Sequence, residues 1–129
     1  VVVPIGVGGA ISGVYCAMTV GIKKYVKLKN LKISFVGVNL QDLNSCYGDA
    51  IKVKNVGEHN SEYINHFVSK RIVIDDFDMK KGIDFVKRDM GVKVEGASAG
   101  TLKPILDGII IPSEKNAVVC ILSGGNVLF

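Results

Sequence analysis

Two glycine-rich turns at opposite ends of the chain hold the residues most able to do chemistry. The first is Gly6-Val7-Gly8-Gly9-Ala10, reached from the β-branched run Val1-Val2-Val3 through Pro4 and Ile5. The second is Ser123-Gly124-Gly125-Asn126, reached from Ile121-Leu122. Glycines let successive backbone N–H groups point into one concavity, and a helix beginning near Ala10 adds its positive N-terminal end. That pattern suits a phosphate. The Ser123 hydroxyl is able to donate to, or accept from, a ring nitrogen. Each turn also has a plain reading: tight strand–helix packing for the first, and a serine bonding its own backbone for the second. If both follow the carboxyl ends of buried strands, both line the crevice where open α/β sheets bind ligands.

The elements that would position these turns alternate between strand and helix. Residues 1–5 read as a strand apolar on both faces, as buried parallel strands are. Residues 10 to about 29 read as a helix, with Ile11, Val14, Tyr15, Met18 and Ile22 at helical spacing. A strand is expected over 31–38, a turn and short helix over 39–46, and an irregular stretch over 47–57. A helix follows from about 58 to 69, with Tyr63, Ile64, Phe67 and Val68 inward, and then a strand over 71–74. Asp75 is placed to cap a helix from about 76 to 90. Residues 95–107 read as a helix kinked at Pro104, and 117–122 as the last strand. The alternation predicts an α/β fold with a largely parallel sheet. No internal repeat or linker divides the 129 residues, so one domain is expected.

Composition excludes several classes. The net charge of +4 is spread as single lysines, and the one dense basic stretch, residues 23–32, fits the wet end of a helix. Nucleic-acid surfaces cluster Lys and Arg beside aromatic platforms, so no nucleic acid is expected as partner. Residues 1–22 are uncharged, but Pro4 and the glycines at 6, 8, 9 and 13 interrupt the run, and no basic segment precedes it. Neither a membrane span nor a signal peptide is expected. Cys16, Cys46 and Cys120 lie among apolar residues at no metal-ligand spacing, and are expected to be buried small hydrophobes in a reducing, cytoplasmic compartment. Asp75, Asp76 and Asp78 read as a cap and solvated first turn, and His59 and His66 as surface residues. The first turn is not a P-loop, since no Gly-Lys-Ser/Thr follows it. Its glycine spacing is not the dinucleotide fingerprint either.

Taken in order, these segments resemble the pyridoxal-phosphate (PLP) enzymes of the tryptophan-synthase-β fold, most closely the threonine/serine dehydratases. Residues 3–13, Val-Pro-Ile-Gly-Val-Gly-Gly-Ala-Ile-Ser-Gly, are similar to the family's V-P-x-G-G-G-G-L-x-x-G loop. Leu122-Ser123-Gly124-Gly125-Asn126 is similar to its L-S-G-G/A-N motif. Glu95-Gly96-Ala97-Ser98-Ala99 resembles E-G/P-x-G-A, and residues 48–53 resemble A-D/E-G-I-A-V. Residues 121–129 are nearest the biosynthetic threonine deaminases. The resemblance implies a three-layer open sheet with helices on both faces, and PLP as cofactor. It implies that Gly6, Val7, Gly8, Gly9 and Ala10 hold the PLP phosphate through backbone N–H groups. It sets Ser123 against the pyridine nitrogen, where a neutral hydroxyl leaves the nitrogen less fully protonated than a carboxylate would. Glu95 would lie near the substrate side, and the plainer role for it is a helix-N-terminal carboxylate. The implied reaction is β-elimination from L-threonine or L-serine to a 2-oxo acid and ammonia. A homo-oligomeric parent is implied, and isoleucine biosynthesis is its setting. A racemase, a β-replacement enzyme and a non-catalytic binding module are the alternatives.

The chain departs from the family pattern at several points. Val7 stands where the pattern has glycine, and would be strained if that position needs a positive φ. Asn39 and a residue near Ser45 stand where some members carry acidic metal ligands, so no metal site is expected. The family's Schiff-base lysine lies in a Ser-x-Lys segment well before the phosphate loop, and no lysine precedes Gly6 here. The chain begins at Val1 in mid-strand without Met and stops just after a turn. The expectation is a piece of the large PLP-binding domain of a longer enzyme, without catalytic activity by itself.

Overall fold

Three short strands fix the arrangement. In the computed structural model, which describes every residue except Val26, Leu28, Lys29, Leu128 and Phe129, β1 (Val2–Pro4), β2 (Phe35–Leu40) and β3 (Val68–Ile74) pair in that order, all parallel. Val2 lies opposite Val36 and Pro4 opposite Val38; Leu40 lies opposite Ile74. On its other side β1 meets the 117–121 segment through a parallel bridge between Val2 and Cys120. All four carboxyl ends therefore leave the sheet along one edge.

Successive strand residues face opposite sides, and both sides are covered. Val3, Ile5 and Phe35 pack with Ile11 of α1 (Gly9–Lys24) and Ile64 of α2 (Glu58–Phe67). Tyr15 joins that layer, stacked on Phe67 with ring centroids 3.9 Å apart. Val2, Val36, Val38, Ile72 and Ile74 pack with Met79 of α3 (Asp76–Met90) and Ala97 of α4 (Gly96–Ala99). This is the expected three-layer α/β arrangement with a parallel sheet.

Several boundaries differ from expectation, each for a physical reason. The first helix ends at Lys24, and its expected end near Lys29 falls outside the described residues. The second strand begins at Phe35 rather than 31, because its partner β1 begins opposite Val36. It runs on through Leu40, which removes the short helix expected over 39–46; a 3-10 turn, Asp49–Ile51, follows instead. The third strand starts three residues early, at Val68, where α2 stops. The helix expected over 95–107 is broken rather than kinked. It divides into α4, a 3-10 turn (Gly100–Leu102) and α5 (Lys103–Leu106). Pro104 has no N–H to give the Gly100 carbonyl, so the α-type ladder cannot pass that point. The last strand reduces to its bridge with Val2, held by Val2 N–H to Val119 C=O at 2.8 Å and Ile121 N–H to Val2 C=O at 3.0 Å. The next β1 residue facing that side is Pro4, which has no N–H to donate.

Side-chain burial brings further corrections. Tyr63 was expected inward but is 38% exposed, and its hydroxyl lies 3.0 Å from Cys16 Sγ, a contact that pushes the phenol up to about 12. Cys16 and Cys46 are exposed rather than buried, one on α1 beside Tyr63 of α2 and one in the loop after β2; only Cys120 is half-buried. The start of α3 is not simply solvated. Asp75 accepts from Asp78 N–H at 2.9 Å and Asp78 accepts from Asp75 N–H at 3.1 Å, a reciprocal capping box. Buried Asp78 also pairs with Lys103 Nζ at 2.6 Å, tying α3 to α5. His59 and His66 are exposed, as expected. Among the described residues, no helix is long and apolar enough to cross a membrane.

Asp76 anchors the loop that follows β2. Its carboxylate accepts from Cys46 N–H (2.9 Å) and from the Ser45 hydroxyl, and these bonds hold its pKa below the ordinary 3.8. A folded-state value below the unfolded one contributes stability above the unfolded value, and that contribution is lost as pH falls through the folded value. The thermal midpoint should therefore drop as the pH falls below about 4. Circular-dichroism melts should show a smaller drop in Asp76→Asn, and an equal drop would refute the assignment.

Candidate functional site

The Gly6–Gly9 turn leaves β1 and enters α1, and its shape is set from three sides. Gly6 sits over the Asp49–Ile51 turn, where an added Cβ would lie 3.0 Å from the Ala50 carbonyl oxygen. Gly8 has φ +96° and packs so closely on α2 that an added Cβ would lie 2.6 Å from Ile64 Cδ1 and 2.9 Å from Asn60 Cβ. Asn60 Nδ2 donates to the Val7 carbonyl at 2.9 Å. Positive φ falls on Gly8, and no non-glycine among the described residues adopts it. Val7 is therefore unstrained, and its side chain is 59% exposed. The condition under which Val7 would be strained is not met.

The helix start carries no cap. Gly8 offers no side-chain acceptor, and the first turn holds no acidic residue. The first intrahelical bond is Ser12 N–H to Gly8 C=O at 3.2 Å. The amides of Gly9, Ala10 and Ile11 thus have no helical carbonyl to reach. An added Cβ on Gly9 would meet nothing within 4 Å, so the space beside Gly9 is open. Ser12 Oγ, in the same turn, is buried with no partner among the described residues. Orphan amides, open space, no competing carboxylate and an unsatisfied hydroxyl fit a phosphate-bearing group. Beside the turn lies a cavity of about 170 Å³ at the ends of β1 and β2, lined by Gly6, Asn39, Ile51 and Lys54 among others. Lys54 was not singled out from the sequence; the only hint was its place just after the 48–53 segment. A larger open groove of about 670 Å³ runs along α3 beside Phe77 and Lys80, away from the glycine turns.

The second turn is laced to the start of α4. Ser123 Oγ lies 2.8 Å from Ser98 Oγ and 3.3 Å from Glu95 Oε1. Ser123 N–H donates to Ser98 Oγ at 3.0 Å, and Glu95 N–H donates to the Ser123 carbonyl at 3.3 Å. Ser98 is fully buried, Glu95 half-buried and Ser123 exposed. Glu95 does stand at the N-cap of α4, but its side chain makes no cap bond and turns to the two serines instead. Sequence reasoning missed Ser98, whose only signal was a hydroxyl in an otherwise small and apolar segment. The two turns come together through topology. Val2 pairs in parallel with Cys120, so Ile5 and Ser123, each three residues further on, leave the sheet at the same edge. Among the described residues no group of three His, Cys, Asp or Glu lies together to hold a metal. Ser45 is engaged with Asp76, and Asn39 lines the small cavity.

Known proteins share this fold. The chain is 27% identical over 144 residues to an L-threonine ammonia-lyase of Thermotoga maritima, a match covering 98% of this chain and 33% of that protein. It is 27% identical over 146 residues to a catabolic L-threonine dehydratase of Staphylococcus aureus, covering 98% and 40%. Its structure superposes on serine racemase from Dictyostelium discoideum with TM-score 0.73 at 23% identity, covering 99% of this chain and 44% of that one. A threonine deaminase from T.th. gives TM-score 0.73 at 18% identity, covering 99% and 46%. The chain thus spans less than half the length of these relatives. No family model matches it.

The glycine geometry has a direct consequence. Gly8→Ala should destabilise the chain by about 2 kcal/mol or more, since it combines a positive φ with overpacking on Ile64. Gly9→Ala should leave stability unchanged or raise it by up to about 1 kcal/mol. Urea denaturation of both variants checks this; equal effects would contradict the structure.

Proposed function

We propose, from the premise that this chain shares the fold and part of the sequence of the threonine/serine dehydratases, that it is the phosphate-holding part of a PLP-dependent threonine or serine ammonia-lyase. The observation that carries the reading is the convergence of the uncapped α1 start and the Ser123 turn on one sheet edge. Backbone amides of Gly6, Val7, Gly8, Gly9 and Ala10 would hold the cofactor phosphate, favoured by the α1 N-terminus. Ser123 would face the ring nitrogen, its position fixed by Ser98 and Glu95. Bound PLP supplies an electron sink that stabilises negative charge at the substrate α-carbon.

The parent reaction on this reading removes the α-proton and the β-hydroxyl of L-threonine or L-serine, and water completes the release of a 2-oxo acid and ammonia. The threonine-specific names of the sequence relatives favour threonine. The equal structural likeness to a serine racemase keeps racemisation as the second reading. The base for the α-proton and the lysine that anchors PLP would come from outside these 129 residues, so the chain alone would bind without turning over. The protein would act in the cytoplasm as part of a homo-oligomer, with a small amino acid as substrate.

Borohydride reduction of the protein as isolated from its source, followed by intact mass and peptide mapping, tests this. A pyridoxyl adduct on a lysine outside this sequence is the expected result. No adduct, with a mass equal to these 129 residues, would overturn the enzyme reading.

A further inference from the structure

We infer that Asn60 is a positioning residue for the phosphate cradle. By holding the Val7 carbonyl it keeps the Val7–Gly8 peptide turned so that an N–H, and not a carbonyl oxygen, faces an incoming anion. The inference rests on reading the Gly6–Ala10 turn as the seat of a phosphate. It goes beyond that reading by tying the affinity of the turn to one side chain on another helix.

The orientation of one peptide carries the argument. Gly8 has φ 96° and ψ -5°, close to the third residue of a type II turn. Gly9 then begins the right-handed helix α1. A left-handed residue beside a right-handed one turns successive N–H groups toward one concavity, here those of Gly8, Gly9 and Ala10. Rotating the Val7–Gly8 peptide by about 180° gives the type I form, with φ of about −90° at Gly8. Glycine adopts either sign of φ, so Gly8 itself does not choose between the two. The flip exchanges two polar groups, because the C=O and N–H of a trans peptide point opposite ways. In the flipped form the Val7 oxygen would stand among the amides and repel a phosphate oxygen.

Asn60 makes the choice. Its Nδ2 donates to the Val7 carbonyl at 2.9 Å, which points that oxygen at α2 and the Gly8 N–H away from α2. Among the described residues that N–H reaches no backbone carbonyl, so it is left for a ligand. Asn60 is half-buried in the first turn of α2. One turn further on, the fully buried Ile64 anchors the helix against the core, so the amide is presented from a fixed place. The residue type matters. A carbonyl only accepts, so its partner must donate. An aspartate has the same shape and, ionised, only accepts; it would pair with the Gly8 N–H of the flipped peptide instead.

The test uses the full chain and deoxypyridoxine phosphate, which has the ring and phosphate of PLP without the aldehyde that reacts with lysines. Asn60→Ala removes the donor without adding charge, and Asn60→Asp removes it while keeping the shape, so one variant stands in if the other fails to fold. A ³¹P titration gives the affinity. The nuclear Overhauser effect between Val7 Hα and the Gly8 N–H, read without ligand, reports which way the peptide faces: strong as found here, weak when flipped. Affinity should fall about threefold to tenfold in Asn60→Ala, the range that one hydrogen bond controls. It should fall further in Asn60→Asp, and the Overhauser effect should weaken in both. A role in helix packing alone would lower the melting midpoint and leave both readouts of the folded chain unchanged. Wild-type binding with equal affinity in the variants, or with an undiminished Overhauser effect in them, overturns this inference and leaves the cofactor reading standing. No ³¹P change in the wild type overturns both.

Discussion

The candidate site depends on one three-residue strand holding parallel neighbours on both sides. Val2 spends its N–H and C=O on Val119 and Ile121, while the alternate residues turn to β2, where Val36 N–H reaches the Val1 carbonyl and Ile5 N–H reaches that of Val38. Because both pairings are parallel, the first and last segments of the chain end at the same edge. The strand cannot slip by one residue, because Val2 and Val3 feed cores on opposite faces of the sheet and a slip would exchange them. A lock made of three residues thus brings two turns together that are more than a hundred positions apart in sequence.

Around that lock, the elements that approach the edge act as supports. The Asp49–Ile51 turn closes under Gly6, α2 closes on Gly8, and Asn60 holds the Val7 carbonyl. On the other side, α4 begins at the point where Glu95 and Ser98 reach the Ser123 turn. Its helix is cut short by Pro104, and Gly100 packs on Ile74, where an added Cβ would lie 2.2 Å from Cδ1 and force that side chain to turn. The tight fit keeps Ser98 and Glu95 against the sheet edge. Neither turn is rigid because of its own sequence; each is held by a neighbour.

Much of this was legible in the sequence because it rests on local chemistry. The spacing of Ile11, Tyr15 and Met18, the Asp75 cap and the glycines at 6, 8 and 9 are short-range signals. What was not legible depends on partners. The start of β2 follows from where β1 begins, and the loss of the last strand follows from Pro4 lacking a donor for it. The exposure of Cys16 depends on how α1 meets α2, whose Tyr63 touches it without covering it. Whether Val7 is strained hinges on which residue of the turn takes the positive φ, and that residue is Gly8, pressed against α2. Ser98 could not be found without knowing that α4 begins beside residue 123, since a serine among alanines and glycines looks the same wherever it points.

The most direct measurement is a ¹H–¹⁵N amide titration of the full chain with deoxypyridoxine phosphate. The account predicts that amides of residues 6–10 and of residues 123–125 shift together, along one binding curve. Shifts confined to one turn, or to the groove along α3, would contradict a single site built from both ends of the chain.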